Sequence, residues 1–516
     1  MKAMNGKISE RHIFTAPRVR EYLPVVSWVI VFIFLSTALQ LFVPYPVDDD
    51  TAYHFTVGQL IRKYGILHSF PWTPFSTQFD HYADKEFFFH LLFVPLGGLG
   101  FVTAARVVGA FAGALALTAL YLILRAEKVR YAGLWALLPL TCSEFVFRFA
   151  LVRPHLLSIT LALTVMWALA RGRLRVLAAA SLIYPLTYVA FWQIPLILLV
   201  AAEAARLAAG ERIRWKPAVT MFAGITIGVL LHPNTINLLR INWVHMSDIL
   251  FRNAWGDNVD FSLGKEFNPY TPEEWARYFV LVVSMVVTAA VVGWRERRTS
   301  SIPLAAAFAA VIFGLLTVRS LRFTEYFVPF SVAAMALAAG SIRIRRLAPS
   351  LLGVSLLYML AVGTGPFSIL AAKGPYIKPD IASFFSKEIP VGSQVFTCGW
   401  DYTGNLMLAL PERRFMVAAD PTLFYLKDPQ LYEIWHTMTV SRPLDSAEAI
   451  RRLFKSRFVV CLNYPAYWNF FDTLERDPKV KNLYADSRWV LFDLGDTAED
   501  NDQHSGGDRR ESGVAK

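Results

Sequence analysis

Residues 23–54 read LPVVSWVIVFIFLSTALQLFVPYPVDDDTAYH. The first part, Leu23 to Pro44, is an apolar run of the length that a bilayer crossing requires, roughly 20 residues. It is too long for the apolar region of a cleaved signal and has no small-residue cleavage site, so it is expected to stay as a signal anchor. Directly after it, where the chain would leave the membrane, stand three adjacent carboxylates, Asp48, Asp49 and Asp50.

The texture of the first run recurs along the chain. Of 516 residues, 55% are hydrophobic and 18% are charged, and the mean hydropathy is +0.40; an ordinary soluble domain carries about a quarter charged residues. The spacing predicts a polytopic α-helical membrane protein of about eleven transmembrane helices, with a C-terminal extracytoplasmic α/β domain. The predicted crossings are about 23–44, 101–124, 131–149, 154–170, 176–190, 193–208, 217–232, 275–293, 302–318, 323–340 and 350–371. A short apolar run, Phe87 to Gly100, is expected to dip into the outer leaflet. The expected division is a cytoplasmic segment 1–22, a membrane domain 23–371 with external loops 46–86 and 233–274, an α/β domain 372–495, and a disordered tail 496–516.

A net charge of +11 could suggest nucleic acid, but the placement of the basic residues argues against it. They cluster in short loops between apolar runs: the N-terminal segment with Lys2 to Arg20, then Arg125 to Arg130, Arg171 to Arg175, Arg212 to Lys216, Arg295 to Arg298 and Arg343 to Arg346. This is the pattern that retains loops in the cytoplasm. It predicts a cytoplasmic N-terminus and an external C-terminal domain, in a bacterial inner (plasma) membrane.

In the last domain, Gln394 to Cys398, Arg414 to Ala418 and Arg457 to Leu462 read as short strands, alternating with helical stretches Tyr402 to Leu410, Pro429 to Met438 and Ser446 to Phe454. That alternation predicts a small, mostly parallel sheet. Cys398 and Cys461 could form a disulfide in an oxidising compartment or stay as two buried strand cysteines.

The acidic triplet is the first chemical signal. Mutual repulsion raises at least one carboxyl pKa, as a general base requires, and an oxygen-only cluster could hold Mg²⁺ or Mn²⁺ between Asp48 and Asp50. The competing reading is helix capping, with Asp50 as N-cap of a helix Thr51 to Tyr64. Further along the loop, Asp80, His81, Asp84, Lys85 and Glu86 could meet the triplet, although Lys85 and Glu86 read first as a solvated loop edge. His54 and His90 stand alone, without zinc-ligand spacing. The second signal is arginine on the external side: Arg148 and Arg153 at one turn, Arg319 and Arg322 at another. Guanidinium groups there suit a phosphate or pyrophosphate, or they snorkel to lipid headgroups.

With these features in place, the chain resembles GT-C type integral membrane glycosyltransferases. The resemblance rests on Asp50 with His54, Gly58, Ile61, Gly65 and the pair Phe75-Ser76. It also rests on Arg153-Pro154-His155-Leu156-Leu157, on His232-Pro233-Asn234, on Arg319 with Arg322-Phe323, and on Asp420. Trp400-Asp401-Tyr402 is similar to part of the acceptor motif of oligosaccharyltransferase catalytic subunits, but Gly399 and Thr403 depart from it. Gln193-Ile194-Pro195 departs from an Asn and His of relatives. The resemblance implies transfer of a sugar, with inversion, from a polyprenyl-phosphate-linked donor to an extracytoplasmic acceptor that is a glycan, lipid or protein. Asp50 and Asp49 would be catalytic, while Asp48, His54, Asp80, Arg153, His155, His232, Arg319 and Arg322 would bind substrate. The same architecture without catalysis would suit a protein for transport or assembly of envelope glycans.

Overall fold

The computed structural model describes residues 19–46, 48–247, 264–342, 344, 346–418, 420–440 and 445–495. The expected tail 496–516, Arg343, most of the N-terminal basic cluster and the middle of the loop 233–274 lie outside the described residues.

The chain is a polytopic membrane protein, mostly helical, with a small C-terminal sheet. Among the described residues, five helices are long and apolar enough to cross a bilayer, or up to eight if each bent pair is one span. Val19–Phe42 leaves Leu23, Ile30, Phe34 and Leu41 exposed, the outward apolar face that a lipid-facing helix presents. Thr324–Ala338 is buried almost all round, as a helix at the centre of a bundle must be.

The expected third crossing is not one helix. It breaks into Ala132–Leu137, a 3-10 turn Leu138–Thr141 and Ser143–Ala150, because Pro139 has no N–H for the ladder. Pro154 then forces a turn. Ser143–Ala150 and His155–Arg171 meet at 117°, since the residue before proline is pushed out of helical conformation. Pro233 acts likewise between Trp215–Leu231 and Thr235–Ser247, which meet at 116°. The run Phe87 to Gly100 is a helix Phe87–Phe93 followed by a 3-10 helix Val94–Leu99.

The sheet has four strands, β1 (Val395–Thr397), β2 (Phe458–Leu462), β3 (Lys481–Ala485) and β4 (Trp489–Asp493), in the order β1-β2-β4-β3. Only β1 and β2 are parallel; β4 runs antiparallel to both β2 and β3. The expectation of a mostly parallel sheet is therefore corrected to a mixed one. The expected strand at Arg414 to Ala418 reduces to one bridge between Gln394 and Arg414, because the Phe415 N–H donates instead to the Trp72 carbonyl at 2.8 Å. Cys398 and Cys461, at neighbouring strand ends, form a disulfide.

The loop 46–86 holds the α/β domain against the helices. Thr77 N–H donates to Leu423 O at 3.0 Å, and Phe75 packs edge-on against Phe454 with centroids 5.6 Å apart. Helix Asp49–Tyr64 lies on helix Thr403–Ala409. A Cβ at Gly404 would sit 2.6 Å from the Asp49 carbonyl oxygen, so glycine is required by the closeness of the two backbones.

Candidate active site

Between the helical part and the α/β domain lies a cavity of about 380 Å³. Asp48, Asp49, Asp50, His54, Lys85, Glu86, Arg148, Arg153, His155, Glu266, Arg322 and Glu325 line it from one side, and Lys373, Trp400, Asp401 and Asp420 from the other. Of the residues expected to act in catalysis or substrate binding, three stand elsewhere. Asp80 is exposed and pairs with Lys427 at 3.3 Å, His232 is buried and contacts the Asp84 carbonyl at 2.9 Å, and Arg319 does not line the cavity.

The three carboxylates have three different environments. Asp48, not Asp50, is the N-cap: helix Asp49–Tyr64 begins one residue later, and the Asp48 side chain accepts from Thr51 N–H at 3.0 Å. Its other oxygen accepts from Arg153 Nε. Asp49 turns to the α/β domain and accepts from Gly404 N–H at 3.1 Å, Asn405 N–H at 2.8 Å and Asn405 Nδ2 at 2.7 Å. Asp50 faces the cavity with 34% of its side chain exposed, 2.8 Å from a terminal nitrogen of Arg153. Desolvation raises the Asp50 pKa, with Arg153 opposing and Asp48 and Glu266 adding to the rise. Burial also lifts Asp49, against the donors that it accepts from.

Arg153 is held by Asp48, Asp50 and Glu266 together. Glu266 in turn bonds Arg148 at 2.9 Å and approaches Arg322 at 3.5 Å. Burial would raise the Glu266 pKa, but the guanidinium groups of Arg153, Arg322 and Arg148 outweigh it and hold the carboxyl well below its usual range. Arg148 also pairs with the buried Glu325, and His155 Nε2 donates to the Arg148 carbonyl at 3.0 Å. Glu266 and Glu325 were not singled out in the sequence. The signal that points to them is the arginines themselves, since buried cations require counter-charges.

Glu86 is buried, contrary to the reading as a loop edge, and desolvation raises its pKa. Its carboxylate, His54 and His90 offer three ligand atoms within 4.8 Å of one another. Glu86 and His90, four apart at the start of helix Phe87–Phe93, face His54 across the helix pair. His54 Nδ1 and His90 Nε2 are 2.8 Å apart, and His90 Nδ1 is 2.6 Å from Asp84 Oδ1. Desolvation, then His90 and Arg153, hold the His54 pKa well below normal, so the ring is neutral. Two imidazoles and a carboxylate suit zinc or a similar transition ion, and Asp84 behind His90 is the outer partner that orients such a ligand. One oxygen of Asp48 and one of Asp50, by contrast, are already engaged by Arg153, and Thr51 takes the second oxygen of Asp48, which leaves a poor cradle for Mg²⁺ or Mn²⁺ there.

No protein-family model and no curated protein sequence matches the chain. Solved structures do resemble it. ArnT from Cupriavidus metallidurans bound to undecaprenyl phosphate superposes with a TM-score of 0.59 at 13% identity, over 93% of this chain and 99% of that one. The apo state of the same protein gives 0.54, also at 13% identity, over 92% and 98%. The mycobacterial arabinofuranosyltransferase AftD gives 0.56 at 14% identity, over 91% of this chain and 40% of that one. At such identity the likeness is one of architecture, and in architecture the chain has the GT-C type fold.

Proposed function

We propose that the protein is a glycosyltransferase that moves a sugar from a polyprenyl-phosphate-linked donor to an extracytoplasmic acceptor, with inversion. The observation that carries this reading is Asp50, a carboxylate of raised pKa that faces the cavity beside cations that could hold a phosphate. Those cations are Arg322, Lys85 and Lys373; Arg153 is committed to three carboxylates. The resemblance to a structure bound to undecaprenyl phosphate supports the same donor class.

In this reading the acceptor hydroxyl gives its proton to the Asp50 carboxylate as its oxygen bonds the anomeric carbon. The bond from that carbon to the phosphate oxygen breaks on the opposite face, and the electron pair leaves with the polyprenyl phosphate. Fixed cations at the departing phosphate stabilise the charge that develops there. Asp48 caps and orients the helix that carries Asp50, and Asp49 fastens the acceptor-side domain. About eleven crossings, a cytoplasmic N-terminus, a membrane domain 23–371 and an external domain 372–495 in a bacterial inner membrane complete the reading.

Mass spectrometry of cell-envelope glycans from cells with and without the protein tests it. A glycan shortened by one sugar type in cells that lack the protein is the expected result. An unchanged glycan profile would contradict it.

A further inference from the structure

β1 and β2 are adjacent and parallel, so the loops that follow them emerge on the same edge of the sheet. The carboxyl ends of parallel strands are where open α/β sheets bind ligands. The first of these loops carries Gly399, Trp400 and Asp401, and the second carries Tyr464, Tyr467 and Trp468. The disulfide between Cys398 and Cys461 staples the two at their roots.

The second loop exposes aromatic surface. Trp468 is 54% exposed and Tyr464 is 48% exposed, yet both are held in place. The Trp468 indole N–H donates to Asn463 Oδ1 at 2.9 Å, and Tyr464 stacks on Tyr467 with rings 22° from parallel. The two loops meet over Gly399, where a Cβ would lie 2.9 Å from Asp401 Oδ1 and 3.2 Å from the Tyr467 hydroxyl. Glycine therefore leaves room for a carboxylate and a phenol to stand side by side. Asp401 has no ion-pair partner among the described residues. Burial, and then Asp401, push the Tyr467 hydroxyl up to about 12, so it remains a hydrogen-bond donor.

We infer that these two loops form a saccharide-binding platform, in which fixed aromatic rings stack on the C–H faces of sugar units and Asp401 with Tyr467 bonds their hydroxyls. A rigid, half-exposed aromatic face next to an unpaired carboxylate matches the alternation of apolar faces and hydroxyl edges in a neutral glycan. Trp400 and Asp401 also line the central cavity, so a chain bound on the platform leads toward Asp50. Its role as the acceptor subsite rests on the transferase reading; the binding itself does not. It makes the acceptor a glycan rather than a protein or a simple lipid.

The test uses the full-length protein in nanodiscs, with neutral hexasaccharides of glucose, galactose, mannose and arabinose as probes and saturation-transfer NMR as the readout. At least one probe binds saturably, and Trp468→Ala and Asp401→Asn each weaken it tenfold or more. Thermal unfolding of both variants stays near that of the wild type, because both side chains are exposed. Asp50→Asn retains the binding, so a failed transferase reading and a failed platform give different results. Binding of none of the probes, or binding unaltered in both platform variants, overturns the inference. So does a loss of fluorescence quenching by brominated lipids on Trp468→Phe, which would put the indole in the bilayer as an interfacial anchor.

Discussion

Arg153 and Asp50 are joined at 2.8 Å across the break between two helices and the start of a third. Arg153 is kept there by Pro154, which turns the chain, and by Glu266, which shares its guanidinium. A base poised against a fixed cation stays in one place, and the cation can hold part of its charge without neutralising it.

Glu266 is the node that three arginines share, so its removal should be felt beyond the cavity. Glu266→Gln is expected to cost about 3–5 kcal/mol, the range for breaking a buried ion pair. The sign with pH follows from its lowered folded-state pKa: its contribution is full above the usual carboxylate range and is lost as pH falls through the folded value. Thermal unfolding across pH checks this. The wild type should lose stability toward acid, while Glu266→Gln should start lower at neutral pH and change less.

Asp49 is expected to act in docking rather than in chemistry. Asp49→Ala orphans the Gly404 and Asn405 donors, worth about 1–3 kcal/mol for each buried group left unpaired. Combined with Asn405→Ala it should show a coupling of roughly 0.5–3 kcal/mol in a double-mutant cycle, read by thermal unfolding. Additive losses would separate the two residues.

The cluster His54, Glu86 and His90 predicts a bound transition ion. Elemental analysis of protein purified without chelator should find about one zinc-like ion per chain, and His90→Ala should lose it. Equal metal content in the variant would assign the cluster to hydrogen bonding alone.

The proposed topology is tested with single cysteines on a background free of native thiols. Cysteines at Gln78 and Lys387 should react with a membrane-impermeant maleimide in intact cells, and those at Arg173 and Glu296 should react only after lysis. The reverse pattern would invert the chain.

The apolar runs made most of the helices legible, and Phe101–Ala126 appears almost as its hydropathy predicts. The hairpin Lys481 to Asp493 is not legible in the sequence, because β3 is an edge strand with mostly exposed, mixed side chains and no clean alternation. Ser143–Ala150 shows the opposite failure, since its run looks continuous and only Pro139 marks the break. In the site, Asp50, Arg153 and Arg322 were legible as charges next to membrane segments. Glu266 and the His54–Glu86–His90 cluster were not: Glu266 meets its arginines only through long-range convergence, and the i, i+4 spacing of Glu86 and His90 gives no sign of His54 on another helix.

In the proposed reaction Asp50 is the base for sugar transfer. Since Asp48 caps the helix, Asp50→Asn removes the charge without removing the cap. The direct measurement is envelope-glycan mass spectrometry and transfer rate in cells that lack the protein, complemented with wild type or Asp50→Asn at matched expression. The variant is expected to lose about two or more orders of magnitude in rate, the usual share of a general base. In the wild type, transfer should rise with pH through a carboxyl pKa above the ordinary range. An Asp50→Asn protein that restores the glycan at the wild-type rate would contradict it.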